Sequence, residues 1–184
     1  MFLEELEMLR SALTQNRPVS WEDLPDIELY MDQLLTYMQR QQVISRPEDA
    51  LTSSMVNNYI KDGLIDKPRS KRYSRDHLAN LTAICILKQV LSVKDVSFLL
   101  NQETRDREIS LFYKKYNEIL DESMNRISED LTDISDAKAL SDTALRLAVH
   151  SYTAKLTCEY LLEILKAGIF DNADNNDKQI PEEK

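Results

Sequence analysis

Apolar residues recur at spacings of three and four along most of this chain, which is the periodicity of amphipathic α-helices. In the segment 26–42, for example, Ile27, Tyr30, Leu34 and Met38 fall on one face. Only two glycines occur among 184 residues, so few positions favour the sharp turns that a sheet protein needs. The sequence therefore predicts a mainly all-α protein, large enough to bury a core of its own.

Turn residues and capping residues divide the periodic pattern into separate helices. Thr52 and Ser74 stand where N-caps are expected, Ser92 begins a further helix, and Gly63 suits a left-handed C-terminal residue. The helix after Ser74 is apolar nearly all round, so it should be central and buried. The predicted helices span residues 2–14, 26–42, 53–62, 74–90, 92–102, 105–132 and 137–168.

Charge is distributed unevenly, although the chain as a whole has a net charge of −9. Residues 1–60 and 101–184 are acidic, whereas residues 61–100 hold eight Lys or Arg against four Asp or Glu. An acidic protein is not a general nucleic-acid coat, but a basic island between acidic flanks can form a local docking surface.

The basic island follows directly after the helix 53–62. Leu64-Ile65 and Arg72-Tyr73 are predicted as two short extended pieces around a turn that contains Pro68, which together would form a small β-hairpin, or wing. Tyr73 is expected to pack in the core where the hairpin meets the next helix, and His77 is expected at the surface. The basic residues of the wing are expected to bind phosphates, and the alternatives are a solvated turn or a turn that binds an acidic patch of the same protein.

The helix 53–62 has a polar face that carries two adjacent asparagines. Asn side chains can bond both N6 and N7 of adenine in the major groove, and Lys and Arg side chains neutralise phosphates. Asn57 and Asn58 are hypothesised to read bases, while solvated helix residues are the alternative. The candidate DNA-binding residues are Ser54, Asn57, Asn58, Tyr59, Lys61, Lys67, Arg69, Lys71, Arg72, Tyr73 and Arg75.

This order of helix, Gly, basic hairpin and helix resembles the winged helix-turn-helix of the MerR family of transcription regulators. The resemblance covers about residues 51–100, and of the family's DNA contacts only those of Tyr59, Lys71, Arg72 and Tyr73 carry over position by position. It implies that the helix 53–62 enters the major groove while the wing, residues 66–75, holds flanking phosphates. Over a longer stretch, from "LPDIELYMDQLLTYM" to "LSVKDVSFLL", the chain resembles an uncharacterised bacterial family catalogued as domain of unknown function eighteen thirty-six.

The two long helical segments near the C-terminus predict an αα-hairpin that supplies homodimer contacts. Phe112, Tyr113, Tyr116, Tyr152 and Tyr160 are expected to be bundle core, with a small-molecule effector pocket as the alternative. The expected organisation is an N-terminal helix and linker at 1–22, a MerR-like winged helix-turn-helix domain at 23–102, the helical hairpin at 103–170, and a disordered acidic tail at 171–184.

Several classes of function have no support in the sequence. The chain contains no P-loop, G-x-S-x-G, G-x-G-x-x-G or HExxH motif, so no enzymatic activity, metal or cofactor is expected. Two distant cysteines fit a reducing compartment, and no apolar run of membrane-spanning length occurs, so a cytoplasmic location without a membrane partner is expected. The leading hypothesis is a homodimeric DNA-binding regulator. A protein-interaction module and a small-molecule sensor are the alternatives.

Overall fold

The structure is a computed structural model that describes residues 2–40, 50–105 and 107–168. Within these ranges the protein is mainly helical and has no strands, which confirms the all-α prediction. The predicted acidic tail at 171–184 lies outside the described residues. The helices are α1 Phe2–Gln15, α2 Met31–Arg40, α3 Ser53–Lys61, α4 Arg75–Leu87, α5 Val93–Thr104, α6 Ile109–Asp130 and α7 Ala137–Lys166.

The chain divides into two compact units, residues 1–143 and 144–184. In the first unit, α4 is the central helix, as its all-round apolar sequence predicts. Leu78, Leu81 and Ile84 are completely or almost completely buried, and α4 packs against both α2 and α6. Fully burying one such side chain stabilises a fold by about 1.5–3 kcal/mol, so α4 organises this core.

Helix α6 belongs to the first unit, because it packs on α4, α1 and α5. A second small core lies at the other end of α6, where Leu6 of α1 packs with Leu131 and Ile134. The first unit therefore continues past residue 102, where the sequence alone places a domain boundary.

In the second unit, the described residues are the remainder of α7 and the two residues after it. Six large apolar side chains of this helix leave more than half of their surface exposed, and five of them recur at spacings of three and four, which places those five on one side. These side chains, named here the α7 apolar face, are Leu145, Val149, Tyr152, Leu156 and Tyr160.

Helix α2 begins at Met31 rather than near Asp26, which corrects the sequence prediction. The backbone of Leu29 is bonded to Tyr73 in an antiparallel bridge, with N–O distances of 2.9 and 2.8 Å. A residue with this extended pairing cannot also take helical dihedral angles. Tyr30 then starts the helix, since its N–H donates to Gln33 Oε1 at 2.9 Å, half of a capping box.

The predicted β-hairpin wing is wrong, because no strands form within the described residues. A tight turn is found instead, with Ser70 and Lys71 at φ values of 49° and 62° and a single bridge between Arg69 and Arg72. The ladder cannot extend beyond this bridge. The N–H and C=O of Tyr73 are bonded to Leu29, and the N–H of Ser74 donates to His77 at the start of α4.

Candidate nucleic-acid interface

Helix α3 begins and ends at residues whose local chemistry fixes its length. Thr52 is the N-cap, and its hydroxyl oxygen accepts a hydrogen bond from the N–H of Met55 at 3.2 Å. At the other end, Gly63 has a φ of 73° and donates to the carbonyl of Ile60 at 3.2 Å. Leu64 donates to the carbonyl of Tyr59 at 2.8 Å. These two bonds form a Schellman motif, so Gly63 ends the helix as the sequence predicts.

One face of α3 is buried and the other is open to solvent. Val56 and Tyr59 are buried in the core, which holds the helix in place. The opposite face presents four exposed polar or charged side chains from the candidate set, namely Ser54, Asn57, Asn58 and Lys61. The sequence therefore assigns the two faces of this helix correctly.

The segment 66–72, named here the basic turn, lies beside α3. Asn57 of α3 and both Lys67 and Lys71 of the basic turn line one groove of about 360 Å³, whose floor includes Ile60 and Tyr73. The structure thus brings together residues from both predicted parts of the site. A groove bordered by an amide and two ammonium groups can donate hydrogen bonds to an anionic ligand.

Most of the positive charge at this surface is free of acidic partners. Lys61, Lys67, Arg69 and Lys71 are exposed, and none of them forms an ion pair within the part of the chain that the structure describes. Arg72 differs, because its Nε lies 3.3 Å from a carboxylate oxygen of Glu28. Both partners of that pair are partly exposed, so the pair reduces the positive charge locally at little gain in stability.

A polar cavity of about 580 Å³ lies on the other side of the basic turn. Three cations, Lys67, Arg69 and Arg72, line it together with three carboxylates, those of Glu28, Asp66 and Asp76. The three carboxylates offset the three cations of this cavity, whereas no carboxylate lines the groove with Asn57, Lys67 and Lys71, so the groove is the more favourable side for a phosphate.

Two tyrosines of the candidate set support the surface from beneath. Tyr59 and Tyr73 are only 5% and 3% exposed, and burial raises the pKa of both phenols. The ring of Tyr73 contacts the imidazole of His77 edge-on, with centroids 5.4 Å apart. The expected packing of Tyr73 in the core is therefore confirmed.

Arg75, another member of the candidate set, is turned toward the N-terminal segment. Its guanidinium lies over the ring of Trp21, 5.6 Å from the centroid, and the side chain is only partly exposed. A cation over an indole face is attracted by about 0.5–2 kcal/mol. Arg75 thus ties the segment before α2 to the first turn of α4.

The sequence prediction of an exposed His77 is wrong, since this residue is buried. Its Nδ1 accepts a hydrogen bond from the N–H of Ser74 at 3.0 Å, and its Nε2 lies 3.1 Å from the carbonyl oxygen of Asp66. His77 therefore links the start of α4 to the start of the basic turn. The sequence indicates the bond to Ser74 only through position, because His77 stands three residues after the N-cap Ser74. Capping boxes usually have Glu or Gln there, so a His is easily overlooked.

No described helix is long and apolar enough to cross a membrane. Among the described residues, no cluster of three or more His, Cys, Asp or Glu side chains is arranged to hold a metal ion.

These observations define the protein as an all-helical domain in which a capped, exposed helix lies beside a basic turn. The chain belongs to the DUF1836 family, a domain of unknown function, whose model matches residues 19–119. The matched part contains α2 to α5 and both sides of the candidate interface. No curated protein and no solved structure matches the chain.

Proposed function

We propose that this protein binds double-stranded DNA and acts as a transcription regulator, with α3 in the major groove and the basic turn on flanking phosphates. The observation that carries the proposal is the groove in which Asn57 of α3 meets Lys67 and Lys71. Phosphate contacts would fix the register of α3 on the duplex, and the asparagines would read base edges. The resemblance of residues 51–100 to MerR regulators supports the position of α3, although the hairpin wing of that family does not form within the described residues.

The distribution of charge supports a local, oriented contact rather than a general attraction to DNA. The chain is acidic overall, yet the exposed ammonium and guanidinium groups of Lys61, Lys67, Arg69 and Lys71 have no acidic partner within the described ranges. Acidic surfaces elsewhere would repel the duplex, so the basic turn would be the part that approaches it.

The active form is proposed to be a homodimer that associates through the α7 apolar face. A single small helix-turn-helix unit contacts few bases, and two copies provide the two half-sites that useful specificity needs. The residues of the α7 apolar face are spaced three or four apart, as in the seam between paired helices. A second copy is the partner that fits a self-complementary seam of this kind.

Fluorescence anisotropy with random-sequence duplex DNA tests the proposal. Binding is expected at 50 mM salt, and about four neutralised phosphates would weaken it roughly 100-fold on raising the salt to 200 mM. The double variant Lys67→Gln/Lys71→Gln should bind much more weakly at any sequence. The matched control Lys94→Gln/Lys138→Gln removes the same charge from exposed positions outside the candidate interface and should bind like the wild type.

Two results would contradict the proposal. One is the failure of the wild-type protein to bind any duplex at 50 mM salt. The other is an equal loss of affinity in the two double variants, which would show that net charge matters and the groove does not. Retention on an acidic protein partner together with no affinity for DNA would favour an interaction module.

A further inference from the structure

The groove between α3 and the basic turn has an apolar floor beneath its polar rim. Asn57, Lys67 and Lys71 form the rim, and the floor consists of Met31, Ile60, Pro68 and Tyr73. All the floor residues except the buried Tyr73 are partly exposed, so the floor is open to a ligand in the part of the chain that the structure describes. Phosphate contacts account for the two lysines but not for this apolar floor.

Ile60 shares a contact surface with Asn57. Both belong to α3 and stand three residues apart, so their side chains are neighbours on the helix surface, with Cβ atoms about 5–6 Å apart. Ile60 contributes to the floor and Asn57 to the rim of the same groove. Base pairs stack about 3.4 Å apart. A base edge contacted by Asn57 would therefore have neighbours within reach of Ile60.

The charges around the floor indicate the class of ligand. Two ammonium groups border it, and no carboxylate lines the groove. A ligand that carries an apolar group close to phosphates matches both parts of this surface. Among the groups that base pairs display in the major groove, the C5-methyl of thymine is the apolar one, and the others are hydrogen-bond donors and acceptors. Duplex DNA thus offers phosphates to the lysines and a methyl group to the floor.

We infer that Ile60 is a specificity-determining residue that recognises a thymine by contact with its C5-methyl in this groove. The thymine would lie within about two base pairs of the adenine that Asn57 contacts. This inference rests on the proposed binding of duplex DNA. Burial of one carbon group of this size should favour thymine over the same base without its methyl by about fourfold in affinity.

Replacement of thymine by deoxyuridine provides the direct test, because it removes only the C5-methyl and keeps base pairing and the phosphates. The full-length protein is titrated by fluorescence anisotropy with duplexes of the sequence that it selects from random DNA, in which each thymine in turn is replaced. One replacement, near the adenine whose preference Asn57→Ala relaxes, should weaken binding about fourfold. The other replacements should change the affinity less than twofold.

Substitution of Ile60 tests whether this side chain makes the contact. Ile60→Ala should bind the thymine duplex and the sensitive deoxyuridine duplex with equal affinity. Met55→Ala is the matched control, since Met55 is also a partly exposed apolar residue of α3 but does not line the groove. This control should keep the fourfold preference for thymine. A preference that persists in Ile60→Ala, or that disappears from both variants, would overturn the assignment of Ile60.

The results separate this inference from the proposed function. Binding to duplex DNA with no replacement that weakens it more than twofold, or a selected sequence without thymine, would overturn the inference alone. Failure of the wild-type protein to bind any duplex would overturn the inference and the proposed function together. The comparison of thymine with deoxyuridine on the wild-type protein keeps the inference open to refutation even if Ile60→Ala fails to fold.

Discussion

The Nε2 atom of His77 lies 3.1 Å from the backbone carbonyl oxygen of Asp66, which bonds the first turn of α4 to the start of the basic turn. On the other side of the same ring, Nδ1 accepts the N–H of Ser74. An imidazole that accepts at Nδ1 carries its proton on Nε2, so it donates to Asp66. One buried side chain thus joins a helix cap to the basic turn of the candidate interface.

Two substitutions of His77 can separate its bond to the N-cap Ser74 from its bond to Asp66 in the basic turn. His77→Ala removes both bonds and the 2.8 Å contact between Nδ1 and the Ser74 hydroxyl, so it should lower the free energy of unfolding by about 1–2 kcal/mol. His77→Gln keeps an acceptor at a position where Gln normally completes a capping box, so it should restore most of the stability. Its shorter side chain should not restore the bond to Asp66.

Chemical denaturation and DNA binding, measured on the same two variants, check this prediction. His77→Gln is expected to be more stable than His77→Ala while both bind DNA more weakly than the wild type. If the two variants have the same stability, the bond from Ser74 contributes nothing. If His77→Gln binds DNA like the wild type, the bond to Asp66 does not position the basic turn.

Gly63 should be sensitive to substitution because of its backbone conformation rather than its surroundings. Its φ is 73°, yet a Cβ built on it would have no atom within 4 Å. Gly63→Ala should therefore destabilise the protein by about 1 kcal/mol, and Gly63→Asn by less, since Asn tolerates left-handed angles. Thermal melting of both variants measures this difference. Equal losses of stability in the two variants would mean that steric contact of the added side chain, and not the backbone angle φ, causes the destabilisation.

Asn57 should influence which sequences are bound rather than how strongly all sequences are bound. A bidentate contact to adenine discriminates by about 1–3 kcal/mol at one base pair. Selection of bound sequences from random DNA should therefore give Asn57→Ala a consensus that is relaxed at one position. Lys67→Gln should keep the wild-type consensus at lower affinity. An unchanged consensus for Asn57→Ala would remove this residue from the readout.

The α7 apolar face should control the oligomeric state. Val149→Glu places a charge in the middle of that face and should convert the proposed dimer into a monomer, because a buried unpaired carboxylate is unfavourable. Ala154→Glu introduces the same group on an exposed part of α7 away from the face and should remain dimeric. Light scattering coupled to gel filtration distinguishes the two. A monomeric wild-type protein would contradict the dimer itself.

Local signals in the sequence predicted the helices and most of their ends. Thr52 and Ser92 cap α3 and α5 as expected, and Gly63 ends α3. Each of these depends on a few neighbouring residues, whose hydrogen bonds follow from residue type and order. The polar face of α3 was predictable for the same reason, since helical spacing alone decides which side chains share a face.

Contacts between distant segments could not be predicted in this way. Because Leu29 pairs with Tyr73, α2 starts later than predicted and the expected hairpin does not form. No residue pattern in either segment indicates that the two pair. Arg75 was predicted as a DNA-binding residue from its place in the basic cluster, but its guanidinium lies over the ring of Trp21, a contact that the sequence does not indicate. An amphipathic pattern shows that α6 has an apolar face but not which helices cover it.

The bridge between Leu29 and Tyr73 also limits how a partner can approach the basic turn. The N–H and C=O of Tyr73 both bond to Leu29, so they cannot pair with an incoming extended peptide. The N–H of Ser74 is also engaged, because it donates to Nδ1 of His77. Strand addition, a common route both to peptide capture and to aggregation, is therefore closed here. The backbone of these two residues therefore cannot pair with an extended ligand or draw a neighbouring chain into a sheet.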